Sequence, residues 1–394
     1  MPVAQKIKES ATSSSWIRKM FEEGLVLKKQ FGEDNVYDFS IGNPDVDPPK
    51  RFHEVLVKFA SEDLSGSHGY MPNAGFPHVR DAVAKKVGRE HNVVIDGTKV
   101  VMTVGAAGGL NVVFKTILNP GDEIIVNRPY FVEYGTYIAN HGGKMVLVDT
   151  DATFSLDIDA IRGALTEKTA GVLINSPNNP TGRIYSAECL AALAKLLEEH
   201  REKTGRAVYL IADEPYREIA YGGKKVPPVL SAYPHSIVVS SYSKNLSLPG
   251  ERIGYIAIAP GCDDSDALIA GFVMCNRSLG FVNAPALMQR IVAELTEETV
   301  DVELYENRRD VFAAGLRKAG LEFPEPEGAF YIFAKAPGGD DFDFVNHLKQ
   351  YRILGVPGTG FGGKGYIRLC YCVPNRIIEN SIPVFAEAVA AYKK

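Results

Sequence analysis

Between residues 99 and 259 the chain alternates short apolar runs with longer stretches in which apolar residues recur every three or four positions. The runs Lys99–Val104, Glu123–Asn127, Lys144–Val148, Gly171–Asn175, Ala207–Ala212, Ser236–Ser240 and Gly254–Ala259 have strand length, whereas Leu110–Leu118 and Ala187–Glu202 carry the helical period. Asn119-Pro-Gly-Asp122 breaks one helix from the next strand. This alternation predicts an α/β fold, a mostly parallel sheet with helices on both faces. After about residue 280 the pattern changes. Ala284–Leu316 reads as one long helix, short strands follow at Ala329–Phe333 and Tyr366–Tyr371, and a last helix covers Ile382–Tyr392. A second, smaller α+β domain is expected, with the large domain over residues 46–277 and the small one assembled from 1–45 and 278–394.

Composition narrows the function classes. At 394 residues, 45% hydrophobic and 23% charged, the chain has the balance of a two-domain globular protein. A net charge of −5 argues against a nucleic-acid or anionic-membrane partner. The five cysteines (Cys189, Cys262, Cys275, Cys370, Cys372) are odd in number and lack C-x-x-C spacing, which predicts free thiols in a reducing compartment. The eight histidines form no metal-binding motif, so no metal is expected. Without an apolar leader or a membrane-length run, the expected location is the cytoplasm.

Two glycine clusters invite a phosphate-loop reading. Gly358-Thr-Gly360-Phe-Gly362-Gly363-Lys364 contains G-x-G-x-x-G, but a strand rather than a helix follows, and Gly365 stands where a P-loop needs Ser or Thr. A turn between strands is the better reading. Gly105-Ala-Ala-Gly-Gly109 follows a strand and opens a helix, where small residues and free amides can receive an anion.

Three further segments each end a predicted strand: Asn175-Ser-Pro-Asn-Asn179-Pro-Thr-Gly182, Ala212-Asp213-Glu-Pro-Tyr216, and Ser240-Ser241-Tyr-Ser243-Lys244 continuing to Arg252-Ile-Gly-Tyr255. Ligands of open α/β sheets sit at the carboxyl ends of strands, so these clusters can converge. A lysine whose pKa is depressed by Arg252 can form a Schiff base with an aldehyde. Asp213 can hold a heterocyclic nitrogen protonated, Ser241, Ser243 and Arg252 can surround a phosphate, and Tyr216 and Asn179 can bond a phenolic oxygen. Together these describe the groups of pyridoxal phosphate.

On these segments, and from Phe39-Ser-Ile-Gly42-Asn-Pro-Asp45 to Ile367-Arg368-Leu369, the chain resembles the class I/II aminotransferases of fold type I. The resemblance implies pyridoxal 5'-phosphate as cofactor, with Lys244 as Schiff-base lysine and proton shuttle and Asp213 on the pyridine nitrogen. It implies Asn179 and Tyr216 on the phenolic oxygen and a phosphate cup of Gly105, Ala106, Ala107, Ser241, Ser243 and Arg252. It further implies that Phe131 stacks on the ring, that Arg368 clamps the substrate carboxylate with two bonds, and that Gly42 and Asn179 lie beside it. By the same resemblance Tyr70 is expected to reach the phosphate of a neighbouring subunit in a homodimer. Relatives commonly place a hydroxyl at Ala107 and Trp or Tyr at Phe131, so the cup here leans on backbone amides and the stacking ring has no polar handle.

The implied reaction is transfer of an α-amino group between an L-amino acid and a 2-oxo acid in a ping-pong cycle, with aspartate or glutamate, or a broader neutral or aromatic set, as donor. A cysteine-S-conjugate β-lyase would use the same lysine and is the alternative reading. A cofactor-sensing transcription regulator is disfavoured, because about forty residues precede Gly42, too few for a winged helix and linker. Arg277 is a candidate clamp for a distal substrate carboxylate, and Trp16 and Ile17 are candidates to cover an apolar substrate pocket.

Overall fold

The computed structural model describes residues 3–4, 7, 16–62 and 65–392. Twelve strands occur among them: β1 (Tyr37–Asp38), β2 (Val100–Thr103), β3 (Glu123–Arg128), β4 (Lys144–Asp149), β5 (Thr169–Asn175), β6 (Tyr209–Asp213), β7 (Ser236–Ser241), β8 (Gly254–Ile258), β9 (Tyr331–Lys335), β10 (Ile353–Leu354), β11 (Val356–Pro357) and β12 (Tyr366–Cys370). Seven form one sheet in the order β2-β8-β7-β6-β5-β3-β4. All its pairings are parallel except those of β8, which runs antiparallel to both β7 and β2. The central strands β5, β7 and β8 are buried along their whole length, which explains why they read as continuous apolar runs rather than alternating ones.

Helices cover both faces of this sheet. Val83, Val87, Leu193 and Leu197 belong to the core on one face, and Leu110, Val113, Phe114 and Phe272 to the core on the other. A third core surrounds the small antiparallel sheet β11-β12-β9 and includes Phe39, Phe312, Phe333, Phe344 and Phe385. The short β1 pairs with β10 and ties the N-terminal segment to this smaller body.

The expected helix over Ala284–Leu316 is two helices, Ala286–Ala293 and Val302–Lys318. Between them, Val300 N–H donates to the Asn245 carbonyl at 2.7 Å, and the Asp301 side chain caps the second helix by accepting from Leu304 N–H. The run Thr296-Glu-Glu-Thr299 therefore lacks a helix despite acceptable propensities, because tertiary hydrogen bonds and a new cap outcompete continuation. Residues Ala284–Leu295 pack with the large sheet's core, whereas Tyr305, Phe312 and Leu316 pack with the small one. The last helix starts at Asn375, before the expected Ile382. Gly358–Phe361 is a short 3-10 turn between β11 and β12, which agrees with the turn reading of that glycine cluster.

Candidate functional site

Strand register brings the polar segments together. Asn175, the last residue of β5, lies opposite Asp213, the last residue of β6, and Asp213 lies opposite Val239 of β7. Ser241 ends β7 opposite Gly254, and Thr103 ends β2 opposite the same glycine. All these ends share one sheet edge, where a cavity of about 280 Å³ opens. Gly42, Ala106, Ala107, Phe131, Asn179, Asp213, Tyr216, Ser241, Ser243, Lys244, Arg252 and Arg368 line it.

Gly105 is not among the lining residues, although Ala106 and Ala107 beside it are. Tyr70 is 93% exposed and outside the cavity. Arg277 is exposed in the last turn of the helix Ser265–Ser278 and is not among the lining residues. The helix Trp16–Phe31 is described, but the side chains of Trp16 and Ile17 lie outside the described residues.

At the cavity floor Asp213 is buried, and its Oδ2 accepts from the Tyr134 hydroxyl at 2.5 Å. Its other oxygen, Oδ1, is buried without a partner. Burial pushes the carboxyl up to about 7, against the Tyr134 hydrogen bond and with help from the neighbouring Glu214 charge. A buried carboxylate with an open acceptor facing a cavity is the complement of a cationic N–H donor. Asn175 Nδ2 donates to the Asp213 carbonyl at 2.8 Å, and Asn175 Oδ1 accepts from Asn179 N–H at 2.7 Å, which fixes the loop after β5 to the end of β6.

Lys244 Nζ donates to the Gly42 carbonyl at 2.7 Å. Its pKa is lowered, and burial is the main cause; the nearby Cys372 and Cys370 oppose the shift, while Arg368 and Arg252 add smaller like-charge contributions. The expectation that Arg252 depresses this lysine therefore has the right sign and the wrong leading cause. The phenyl ring of Phe330 lies 5.5 Å and the ring of Tyr216 5.9 Å from Nζ, so two aromatic rings flank the amine.

The helix after β2 begins at Gly105 itself, not near Leu110, so Gly105, Ala106 and Ala107 form its first turn. Amides there have no intrahelical acceptor and face an anion site naturally. Gly105 has φ of 79°, and a Cβ added to it would stand 2.9 Å from Arg252 Nη2. A Cβ at Gly254 would meet the Ser240 carbonyl and lie 2.9 Å from Gly105 Cα. These last two are backbone atoms that cannot swing aside. Gly254→Ala should therefore cost about 1–3 kcal/mol of stability and lift the Gly105 turn out of place. Thermal unfolding and phosphate-competed binding of pyridoxal phosphate measure the two effects.

Across the cavity Arg368 is 2% exposed. Its Nη1 donates to Asn179 Oδ1 at 3.1 Å and its Nη2 to the Ser40 carbonyl at 2.7 Å, while Nε is buried without a partner. The guanidinium lies between Phe361 and Tyr331, 4.6 and 4.8 Å from their ring centres. Two neutral acceptors and two aromatic faces leave its charge uncompensated. That arrangement is suited to a carboxylate from solution.

Several lining residues escaped the sequence reading. Tyr134 lies three positions after Phe131, and the two rings meet edge-on at 5.5 Å. Tyr331 in β9 shares a sheet face with Phe333, which lies opposite Arg368 in the ladder, and its hydroxyl is 2.7 Å from that of Tyr216. A period-two count from Arg368 across the small sheet could have found it. Gly42 is glycine for a local reason, since a Cβ there would collide with the Tyr331 hydroxyl. Among the described residues no group of three or more His, Cys, Asp or Glu could hold a metal ion, and no helix is long and apolar enough to cross a membrane.

Comparison with known proteins places this arrangement. A family model for "Aminotransferase class I and II" matches residues 34–382. The aspartate/prephenate aminotransferase of Thermus thermophilus is 32% identical over 98% of this chain and 97% of its own length. The aspartate aminotransferase of Thermotoga maritima is 30% identical over 94% of each chain. Among solved structures, an amino transferase from Eubacterium rectale superposes over both whole chains with a TM-score of 0.97 at 38% identity. The Thermus thermophilus aspartate aminotransferase solved with maleate superposes with a TM-score of 0.87 at 28% identity, over 98% of this chain and all of that one. With the strand-end lysine, the aspartate floor and the arginine wall on one cavity, the chain belongs to the class I and II aminotransferases, transaminases of fold type I.

Proposed function

We propose that this aminotransferase holds pyridoxal phosphate in the cavity and uses it to move the α-amino group between an L-amino acid and a 2-oxo acid in a ping-pong cycle, with aspartate among its donors. One observation carries the reading: a half-buried lysine of lowered pKa and a buried carboxylate with an orphaned oxygen line the same cavity. The residues fit the cofactor, since Asp213 Oδ1 lacks a donor and the Gly105 turn leaves room where a Cβ would press on Arg252. When bound, pyridoxal phosphate supplies an aldehyde for amine exchange and a protonated ring that draws electrons from the reacting carbon.

In this reading the ring nitrogen belongs on Asp213, and the phosphate on Gly105, Ala106, Ala107, Ser241, Ser243 and Arg252. Phe131 covers the ring face, while Asn179 and Tyr216 serve the phenolic oxygen. Arg368 and Gly42 receive the substrate's α-carboxylate. Lys244 Nζ, whose charged form burial disfavours, takes the proton from the substrate α-carbon and returns it elsewhere. Tyr70, exposed in the single chain, completes the phosphate site of a second copy in a homodimer. Five free cysteines support a cytoplasmic location. The separate cores support two domains, with residues 46–295 in the larger; packing of Ala284–Leu295 against the large sheet favours this boundary over one at residue 277.

The test is visible absorption of the pyridoxal-loaded protein as single amino acids are added without a 2-oxo acid. Loss of the visible band with aspartate, and its return with 2-oxoglutarate, is the expected result. A persistent band with pyruvate accumulating would establish a lyase instead. Replacing Arg368 by Lys removes the planar fork and the stacking while keeping the charge. It should lower kcat/KM by about 10–100-fold, mostly through KM, because the lost bonds are made in ground and transition states alike. Steady-state kinetics with aspartate measure it.

A further inference from the structure

The segment that carries Lys244 has no regular secondary structure to hold it. After β7 ends at Ser241, residues 242–247 run as turns and bends before the short 3-10 helix Pro249–Glu251. Backbone bonds within this stretch are few: Leu248 N–H donates to Tyr242 O at 3.2 Å and Ser247 N–H to Lys244 O at 3.3 Å. Something else must fix the base of the lysine stem. The residue next to it, Asn245, is buried and is anchored on two sides.

Its Nδ2 donates to Glu218 Oε1 at 2.5 Å. Glu218 in turn pairs with the buried Lys86 at 2.8 Å, and Lys86 also lies 3.3 Å from Glu90. The backbone carbonyl of Asn245 accepts from Val300 N–H at 2.7 Å and from Thr299 Oγ1 at 3.3 Å. Lys86 Nζ donates to the carbonyl of Thr296 at 3.1 Å, so the same cation that fixes Glu218 also fixes the connector between the two cores. None of Asn245, Glu218 and Lys86 lines the cavity.

We propose that Asn245 is a positioning residue for the amine of Lys244, held by the Glu218–Lys86 pair and by the connector 296–301. The inference rests on the reading of Lys244 as the reacting amine. Its physical basis is leverage. A lysine stem has several rotatable bonds, and an error of about 1 Å in a reacting atom can cost about 100-fold in rate. Burying a lysine–glutamate pair is seldom favourable for stability alone, which is consistent with a role in fixing geometry. Asn245 is thus held with its amide nitrogen on Glu218 and its backbone carbonyl on Val300, while its Oδ1 is buried without a partner.

The experiment uses the full chain loaded with pyridoxal phosphate, comparing wild type, Asn245→Ala, Glu218→Gln and Glu218→Ala. Asn245→Ala should lower kcat with aspartate by about 10–100-fold and leave KM within about twofold. It should also move the pH at which the visible band of the loaded enzyme titrates, since that band reports the surroundings of the Lys244 nitrogen. Glu218→Gln keeps an acceptor for Asn245 and should retain most of kcat, whereas Glu218→Ala removes that acceptor and should lower kcat as Asn245→Ala does, which covers the case in which Asn245→Ala fails to fold. Unchanged kcat and band titration in Asn245→Ala and Glu218→Ala would overturn the inference, as would an effect confined to KM or to thermal stability. If wild type itself shows neither the band nor turnover, the reading of Lys244 fails, and this inference falls with it. Active wild type beside unaltered variants refutes the positioning role alone.

Discussion

Lys244→Ala should abolish turnover, by about 10⁴-fold or more, while the chain stays folded. The amine is the titratable group at the cavity whose pKa burial drives down, and its hydrogen bond runs to a neutral carbonyl, that of Gly42, rather than to a carboxylate. With no carboxylate bonded to it, a larger fraction stands as a base at neutral pH than for a lysine in water. General base catalysis by a placed group accounts for about 10²–10⁴-fold, and loss of the covalent amine adds to that. Stability should hold, because the deletion removes a polar group whose burial is costly. The measurements are single-turnover rates with aspartate, the melting temperature, and partial recovery of the rate by a small free primary amine. Lys244→Arg sharpens the test, since a guanidinium stays protonated and cannot act as base. If Lys244→Arg keeps substantial activity, a different group takes the proton.

Much of this site was legible because its parts sit at strand ends. An apolar run that stops abruptly at Asn175, Asp213 or Ser241 marks both the end of a buried strand and the edge where ligands bind. Lys244 and Arg252 are close in sequence, flanking the turn from β7 into the antiparallel β8, so their convergence needed little tertiary information. Arg368 was found through the resemblance, and its partners were not, because Tyr331 belongs to a different strand and Phe361 to a turn. Tyr134 was missed because an apolar-looking tyrosine in a short helix has no local mark of its hydroxyl's partner, Asp213, across the sheet. The broken helix at 296–301 was illegible for the same reason, since its break is set by the carbonyl of Asn245, far off in sequence. What sequence spacing conveys well is order along a strand. What it conveys poorly is which buried polar atom ends beside which.

Asp213 offers the second large effect, one that couples cofactor, pH and stability. Asp213→Asn should lower kcat with aspartate by about 10²–10³-fold, because a neutral amide cannot hold the ring nitrogen protonated. The same change should stabilise the protein once pyridoxal phosphate is removed. In the folded chain burial raises this carboxyl from 3.8 to about 7. Between those values the folded state binds more protons than the unfolded one, so stability falls as pH rises from about 4 to about 7 and levels off above. A rise of that size corresponds to about 4 kcal/mol lost by pH 8, an upper bound for a site that water can enter. An amide at this position does not titrate and contributes no such slope. Thermal unfolding of the cofactor-free proteins at pH 5 and pH 8 should therefore show wild type losing more stability across that interval than Asp213→Asn. Reloading the cofactor should reverse the order, since a cationic N–H on Oδ1 compensates the buried charge in wild type alone. Equal pH slopes for the two cofactor-free proteins would mean that the proton sits elsewhere, and that Oδ1 is not the acceptor left open for the ring.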